Sequence, residues 1–181
     1  MADFGGEERN AAVGFSIENK GYIGTGHSDG ETLKDFWEFD PAKNLWERKA
    51  DFGGVSRSRA TAFSINNKGY IGIGGDFFGG LTIYDDFWEY NPQNNIWIKK
   101  AHFADKRLDA VGFSIAKEGY VGGGAAFSSG TAIHKNDLWF YNPSTDKWTK
   151  KQIFPGSHGG MPLDLALLIR DMLDLVLVEI R

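Results

Sequence analysis

Three arginines and three aspartates recur at fixed places in this chain. Arg9, Arg57 and Arg107 each stand six residues before a Phe-Ser-Ile triplet, inside the pattern Arg-x-x-Ala. A guanidinium carries five donors in a rigid fork, which suits a carboxylate or other anion, and suits backbone carbonyls inside a fold just as well. Asp35, Asp86 and Asp137 also recur, 51 residues apart both times. Groups that repeat in register behave as structure, whereas catalytic residues break the symmetry. Chemistry that does break it lies in three variable segments, His27 to Lys34, Asp76 to Asp85 and Ala125 to Asn136. Asp76, Phe77, Phe78 and Tyr84 combine acid and aromatic groups suited to stacking a sugar, and His27 and His134 occupy similar places. Variable loops on a rigid repeat are where binding usually sits. Aromatics folding back over a sheet edge, and solvated loop histidines, give the same letters. No metal-ligand spacing, phosphate loop or nucleophile motif is present, and with no cysteine there is neither a disulfide framework nor a thiolate site. No cofactor or metal is expected.

The elements that must hold these groups repeat. Phe15-Ser16-Ile17, Phe63-Ser64-Ile65 and Phe113-Ser114-Ile115 each lead to Gly-Tyr-[Ile/Val]-Gly-x-Gly, then to Asp-[Phe/Leu]-Trp, then to [Asp/Asn]-Pro and a second Trp. The second tryptophans, Trp46, Trp97 and Trp148, are 51 residues apart both times. So regular a period marks one supersecondary unit that needs neighbours to bury its faces. Within a unit, Val13, Phe15 and Ile17 alternate with small residues, the period of a strand. Asn19 to Gly21, Asn67 to Gly69 and Lys117 to Gly119 supply a tight turn with its glycine at positive φ. The glycines of the second strand, Gly24/Gly26, Gly72/Gly74 and Gly122/Gly124, read as a floor for a neighbouring sheet. A third strand carries Trp37, Trp88 or Trp139 and stops at Asp40-Pro41, Asn91-Pro92 or Asn142-Pro143; a fourth holds the second Trp. Each unit is a four-stranded antiparallel meander.

With 181 residues, 41% hydrophobic and 24% charged, the chain has the length and composition of about one domain. Its net charge of -4 and lack of a Lys/Arg stripe argue against nucleic acid. Met1 leads straight into the first repeat without the charged start and apolar run of a signal peptide, and no stretch is long enough for a membrane span. The compartment is left open.

In its glycine-rich strand, spaced aromatics, Asx-Pro turns and Trp, all in register over about residues 2 to 156, the sequence resembles the kelch repeat. The resemblance implies an all-β fold, a partial β-propeller of three four-stranded antiparallel kelch blades. The blades span about 2–49, 50–100 and 101–151, a fourth starts at 152–156, and 157–181 is a non-kelch tail. Closed propellers take about four to eight blades. The chain opens inside a repeat, so it reads as a piece of a longer propeller, and open blade faces are expected to promote self-association. The resemblance also places residues entering the innermost strand near the mouth of a central channel, where Arg9, Arg57 and Arg107 would form a positive arc for an acidic peptide or anionic sugar.

The tail has two readings. Its Leu/Val density fits an amphipathic helix covering an exposed blade. Alternatively, the overlaps between its codons permit Asp-Ala-Val-Gly-Phe-Ser-Ile-Ala followed by Asn-Lys-Gly-Tyr-Val-Gly-x-Gly, with Phe one repeat beyond Phe113. That is a frameshifted fourth blade, with one base lost near Gly156 to His158.

The leading functional expectation is a non-catalytic interaction module presenting loops to a protein or glycan, as part of a larger kelch protein of bacterial type; proteins of that type are often exported. The alternatives are a fragment of a kelch-type carbohydrate-active enzyme of mutarotase or epimerase kind, or a non-functional product of a frameshifted gene. Propellers resembling galactose oxidase need a copper site with a cysteine-tyrosine crosslink, which a chain without cysteine cannot form.

Overall fold

The computed structural model describes residues 1–153; both readings of the tail fall outside them. The first blade runs β1 (Val13–Ile17), β2 (Lys20–Gly24), a short hairpin of β3 (His27–Ser28) and β4 (Glu31–Thr32), then β5 (Phe36–Asp40) and β6 (Leu45–Arg48). In the second, β7 (Thr61–Ile65), β8 (Lys68–Gly72), β9 (Gly75–Asp76), β10 (Thr82–Ile83), β11 (Phe87–Asn91) and β12 (Ile96–Lys100) follow the same plan. The third repeats it as β13 (Val111–Ile115), β14 (Glu118–Gly122), β15 (Ala125–Ser128), β16 (Thr131–His134), β17 (Asp137–Asn142) and β18 (Lys147–Ile153). Each blade is one antiparallel sheet in chain order, β1-β2-β5-β6, β7-β8-β11-β12 and β13-β14-β17-β18. The innermost strands touch, β1 against β7 and β7 against β13, so the sheets stand face to face as blades of a partial propeller. No described residue is helical, and none belongs to a helix long and apolar enough to cross a membrane.

The predicted meander is present, but two glycine assignments change. The tight turns sit at Glu18 (φ 53°), Asn66 (φ 50°), Asn67 (φ 60°) and Ala116 (φ 52°), one or more residues before the glycines. Gly21, Gly69 and Gly119 lie inside β2, β8 and β14. What requires glycine there is a ring from the preceding blade: a Cβ on Gly69 would overlap Phe15, and one on Gly119 would overlap Phe63. These are the floors between blades. Gly24 and Gly72 instead make room for Phe36 and Phe87 on the adjacent strand of their own sheet, while Gly26, Gly74 and Gly124 take positive φ and lie against the lead-in chain at Asn10, Ser58 and Leu108.

Between the first two blades, Phe36 lies 4.8 Å from Tyr90 and 5.0 Å from Trp97, ring centre to ring centre. Phe87 repeats this against Tyr141 at 5.2 Å and Trp148 at 4.9 Å. Edge-to-face contacts at such distances add about 0.5–1.5 kcal/mol each beyond burial. Trp37, Trp88 and Trp139 instead donate their indole N–H to Asp35, Asp86 and Asp137. At the far end the Asx-Pro turns form as expected: Asp40, Asn91 and Asn142 accept from backbone N–H groups two residues on.

Candidate functional site

The antiparallel meander puts every lead-in segment and every β3–β4 type hairpin at the same end of the arc. There the repeated arginines lie inside the blades. Arg57 grips Asp86 with both Nη atoms, at 2.6 and 3.0 Å, donates to the Ile73 carbonyl, and has a side chain 0% exposed. Arg107 does the same with Asp137 and the Gly123 carbonyl, and Arg9 with Asp35 and Thr25. Burial raises the Asp86 carboxyl, but the hydrogen bonds and charge of Arg57 outweigh it and hold the group below the ordinary carboxylate range; Asp35 and Asp137 follow the same balance. The backbone carbonyl of Arg57 accepts from Gly26 N–H of the first blade, and that of Arg107 from Gly74 of the second. Each of these two arginines thus links its own blade to the one before. The arc of free positive charge expected from Arg9, Arg57 and Arg107 is replaced by these internal forks, because each guanidinium has its own carboxylate inside the blade.

The charge that does face outward stands two residues further along. Ala11, Arg59 and Asp109 occupy the same position in successive lead-in segments, all at positive φ of 51°, 55° and 56°. Main-chain bonds join them across the arc, Arg59 N–H to the Ala11 carbonyl and Asp109 N–H to the Arg59 carbonyl. Non-glycine residues are uncommon in this region of backbone space, and such conformations cluster at ligand-facing sites. The Arg59 Nη1 lies 2.9 Å from an Asp109 carboxylate oxygen, with the side chains 46% and 52% exposed. Its guanidinium also lies over the Phe77 ring, 5.0 Å from the centroid. This column breaks the symmetry of the repeat, with methyl, cation and anion in equivalent places.

Of the loop residues, Phe77 and Phe78 are exposed, and Phe78 meets His27 edge-on at 5.4 Å. A cleft of about 510 Å³ opens beside them, lined by Glu8, Arg9, Asn10, His27, Asp29 and Phe78. Asp76 accepts from the Phe78 N–H and so shapes the loop. Tyr84 turns inward: its ring stacks under the Arg57 guanidinium at 4.3 Å, and burial raises its hydroxyl. His134 is exposed on the hairpin of the third blade, paired in register with Ala125, while His27 stands on the hairpin of the first. Thus His27, Phe77 and Phe78 gather near Arg59 and Asp109, whereas Tyr84 is half-buried against Arg57. The signal for Arg59 and Asp109 was a varying letter inside a repeated motif, Arg-x-[Ala/Arg/Asp]-Ala, overshadowed by the repeated arginine.

Among the described residues no group of histidine and carboxylate side chains is placed to hold a metal ion. No family model matches the sequence, and no curated protein matches it. Among solved structures, the one titled "Structure of YjhT" superposes with a TM-score of 0.69 at 24% identity, over 81% of this chain and 51% of that one. The chain therefore spans about half the length of YjhT. At this identity the likeness establishes the fold, a partial β-propeller.

Proposed function

We propose that the chain is a kelch-type, non-catalytic binding module whose loop end takes a protein or glycan partner. The observation that carries this reading is the gathering of symmetry-breaking groups at one end of an otherwise repetitive scaffold. There the exposed rings of Phe77 and Phe78 adjoin the Arg59–Asp109 pair and the cleft beside His27. Rings with open faces supply apolar contact, and an exposed ion pair supplies donors and acceptors for hydroxyl or amide groups. The flanking carboxylates of the blades are held by arginines, which fits a rigid support rather than reacting groups.

The test is a glycan array followed by titration of each hit, with a display library of peptides as the second ligand class. Phe77→Ser/Phe78→Ser and Arg59→Ala are the variants. Binding weakened at least about tenfold in both, with unchanged thermal unfolding, supports the reading. Ligands that bind these variants as well as the parent chain place the site elsewhere and overturn it. Turnover of a bound sugar, followed as anomer exchange by NMR, would instead favour the enzyme alternative.

A further inference from the structure

We infer that the cleft between the hairpins of the second and third blades binds a carboxylate carried on an apolar body, with Lys106 as its counter-charge. This cleft, of about 390 Å³, is lined by Leu81, Thr82, Ile83, Lys106, Phe127 and Gly130. It lies on the other flank of hairpin β9–β10 from the cleft beside His27 and shares no residue with it. A volume of that order accepts a small ligand or one residue of a chain. Leu81 is 47% exposed, and Ile83 and Phe127 are half-buried. Three apolar side chains from two blades thus border a space that none of them fills. Two of these walls are aliphatic, so an alkyl or aryl group gains more by burial there than the hydroxyl-rich face of a sugar.

The charge is left over by the arrangement that fixes it. Lys106 directly precedes the buried Arg107, whose guanidinium holds Asp105, Asp137 and the Gly123 carbonyl, so the main chain is pinned at this point. The carboxylates nearest in sequence are already taken. Asp105 lies 2.6 Å from the Arg107 Nε and 3.0 Å from the Lys135 ammonium, and Asp109 is paired with Arg59. Lys106 itself is exposed and has no ion-pair or hydrogen-bond partner among the described residues. The equivalent places in the first two blades are Glu8 and Ser56, so the cation belongs to this cleft alone. Both walls are tied to the same lead-in segment. Leu108 exchanges two main-chain hydrogen bonds with Ala125 at the base of the third hairpin and lies against Gly75 at the base of the second. Cation and walls are therefore held in place before a ligand arrives, which lowers the cost of binding. An ammonium beside apolar walls favours an ionised acid over its neutral analogue, and a single cation suits a carboxylate better than a doubly charged phosphate.

The decisive experiment titrates the full 181-residue chain with phenylbutyrate and with its neutral amide, followed by calorimetry and backbone-amide NMR. An alanine peptide ending in leucine, its C-terminus free or amidated, is the second probe pair. The variants are Lys106→Gln and Leu81→Ser, both at exposed positions, so their thermal unfolding should match the parent. The acid is expected to bind at least about tenfold more tightly than the amide. Lys106→Gln should erase that preference, and Leu81→Ser should weaken acid and amide alike. A tighter fit for the free-ended peptide would identify the source as a chain terminus, and a tighter fit for phenylbutyrate a free acid; either order supports the site. Equal binding of acid and amide, a preference that survives Lys106→Gln, or no response at millimolar acid overturns it. A loss in Phe77→Ser/Phe78→Ser as large as in Lys106→Gln would put the acid beside His27, and overturn it too.

Discussion

The second and third blades share one backbone plan but distribute their charge differently. In the second, the buried Glu89 on β11 collects Lys68, Tyr70 and Lys100 around it. In the third, a glutamate stands on β14 in place of that lysine: Glu118 accepts from the Tyr120 hydroxyl, while Phe140 fills the glutamate's place and Lys151 lies over its ring at 4.7 Å. The comparison separates two layers of specification. What recurs in both blades, the Arg–Asp fork and the Phe-on-Gly seat, builds a blade and stacks it; what differs sets the charge on one face of the blade. A buried carboxylate is tolerated only where neighbours supply donors, so its presence constrains the next blade as well as its own.

The largest effect is expected where the blades agree. Arg57→Ala and Arg107→Ala each leave a buried aspartate without its partner, and each should cost about 3–5 kcal/mol in urea unfolding. Arg57→Lys should recover little, because an ammonium cannot span both Asp86 oxygens and the Ile73 carbonyl as the fork does. A markedly smaller loss in the third blade than in the second would break the claim that the fork is common structure.

Next comes the seat. Gly69→Ala forces the Phe15 ring to move and should destabilise by about 1–3 kcal/mol. Gly21→Ala, with no ring over it, should stay within about 0.5 kcal/mol of the parent. Equal losses at the two positions would show that glycine serves the strand itself rather than the neighbouring blade.

Acid distinguishes the blades by a smaller amount. Burial raises the Glu89 carboxyl, but the hydrogen bonds of Lys68 and Tyr70, with the charges of Lys68 and Lys100, outweigh it, so the folded-state value lies below the ordinary one; Glu38 behaves alike. A depressed folded value stabilises fully above the ordinary carboxyl range, near about pH 4, and that contribution disappears as the pH falls through the folded-state value. Unfolding free energy measured against pH should therefore decline below about pH 4. The decline should be shallower in Glu38→Gln/Glu89→Gln, which should also be less stable at neutral pH. An unchanged slope would assign acid sensitivity to the Arg–Asp forks alone.

The smallest stability change is expected from Glu118→Lys/Phe140→Glu, which gives the third blade the second blade's charge set. Within one copy it should alter stability by only about 0.5 kcal/mol. Urea unfolding of the variant beside the parent checks this, and a loss above about 2 kcal/mol would show that the third blade's charge set is needed by the blade itself.

Repetition made the meander, the Asx-Pro turns and the pairing order legible in the letters, because alternation and turn chemistry are local and each unit restates them. The site was legible in part. His27, Phe77 and Phe78 stood out as variable loop residues, whereas Arg59 and Asp109 were hidden inside a motif whose loud letter was the neighbouring arginine. Whether Arg57 faced solvent or Asp86 could not be read from a spacing of 29 residues.

By itself, then, the sequence determined the strand period, the number of complete units and the exclusion of thiolate chemistry. Tertiary structure alone decided which glycine lies against the lead-in chain and which seats a ring, and which arginine is buried and which is exposed. Those outcomes depend on side chains from different blades meeting at van der Waals distance. The one-dimensional pattern carries no record of that distance, since residues 48 apart, such as Phe15 and Phe63, differ only in what the neighbouring blade sets against them.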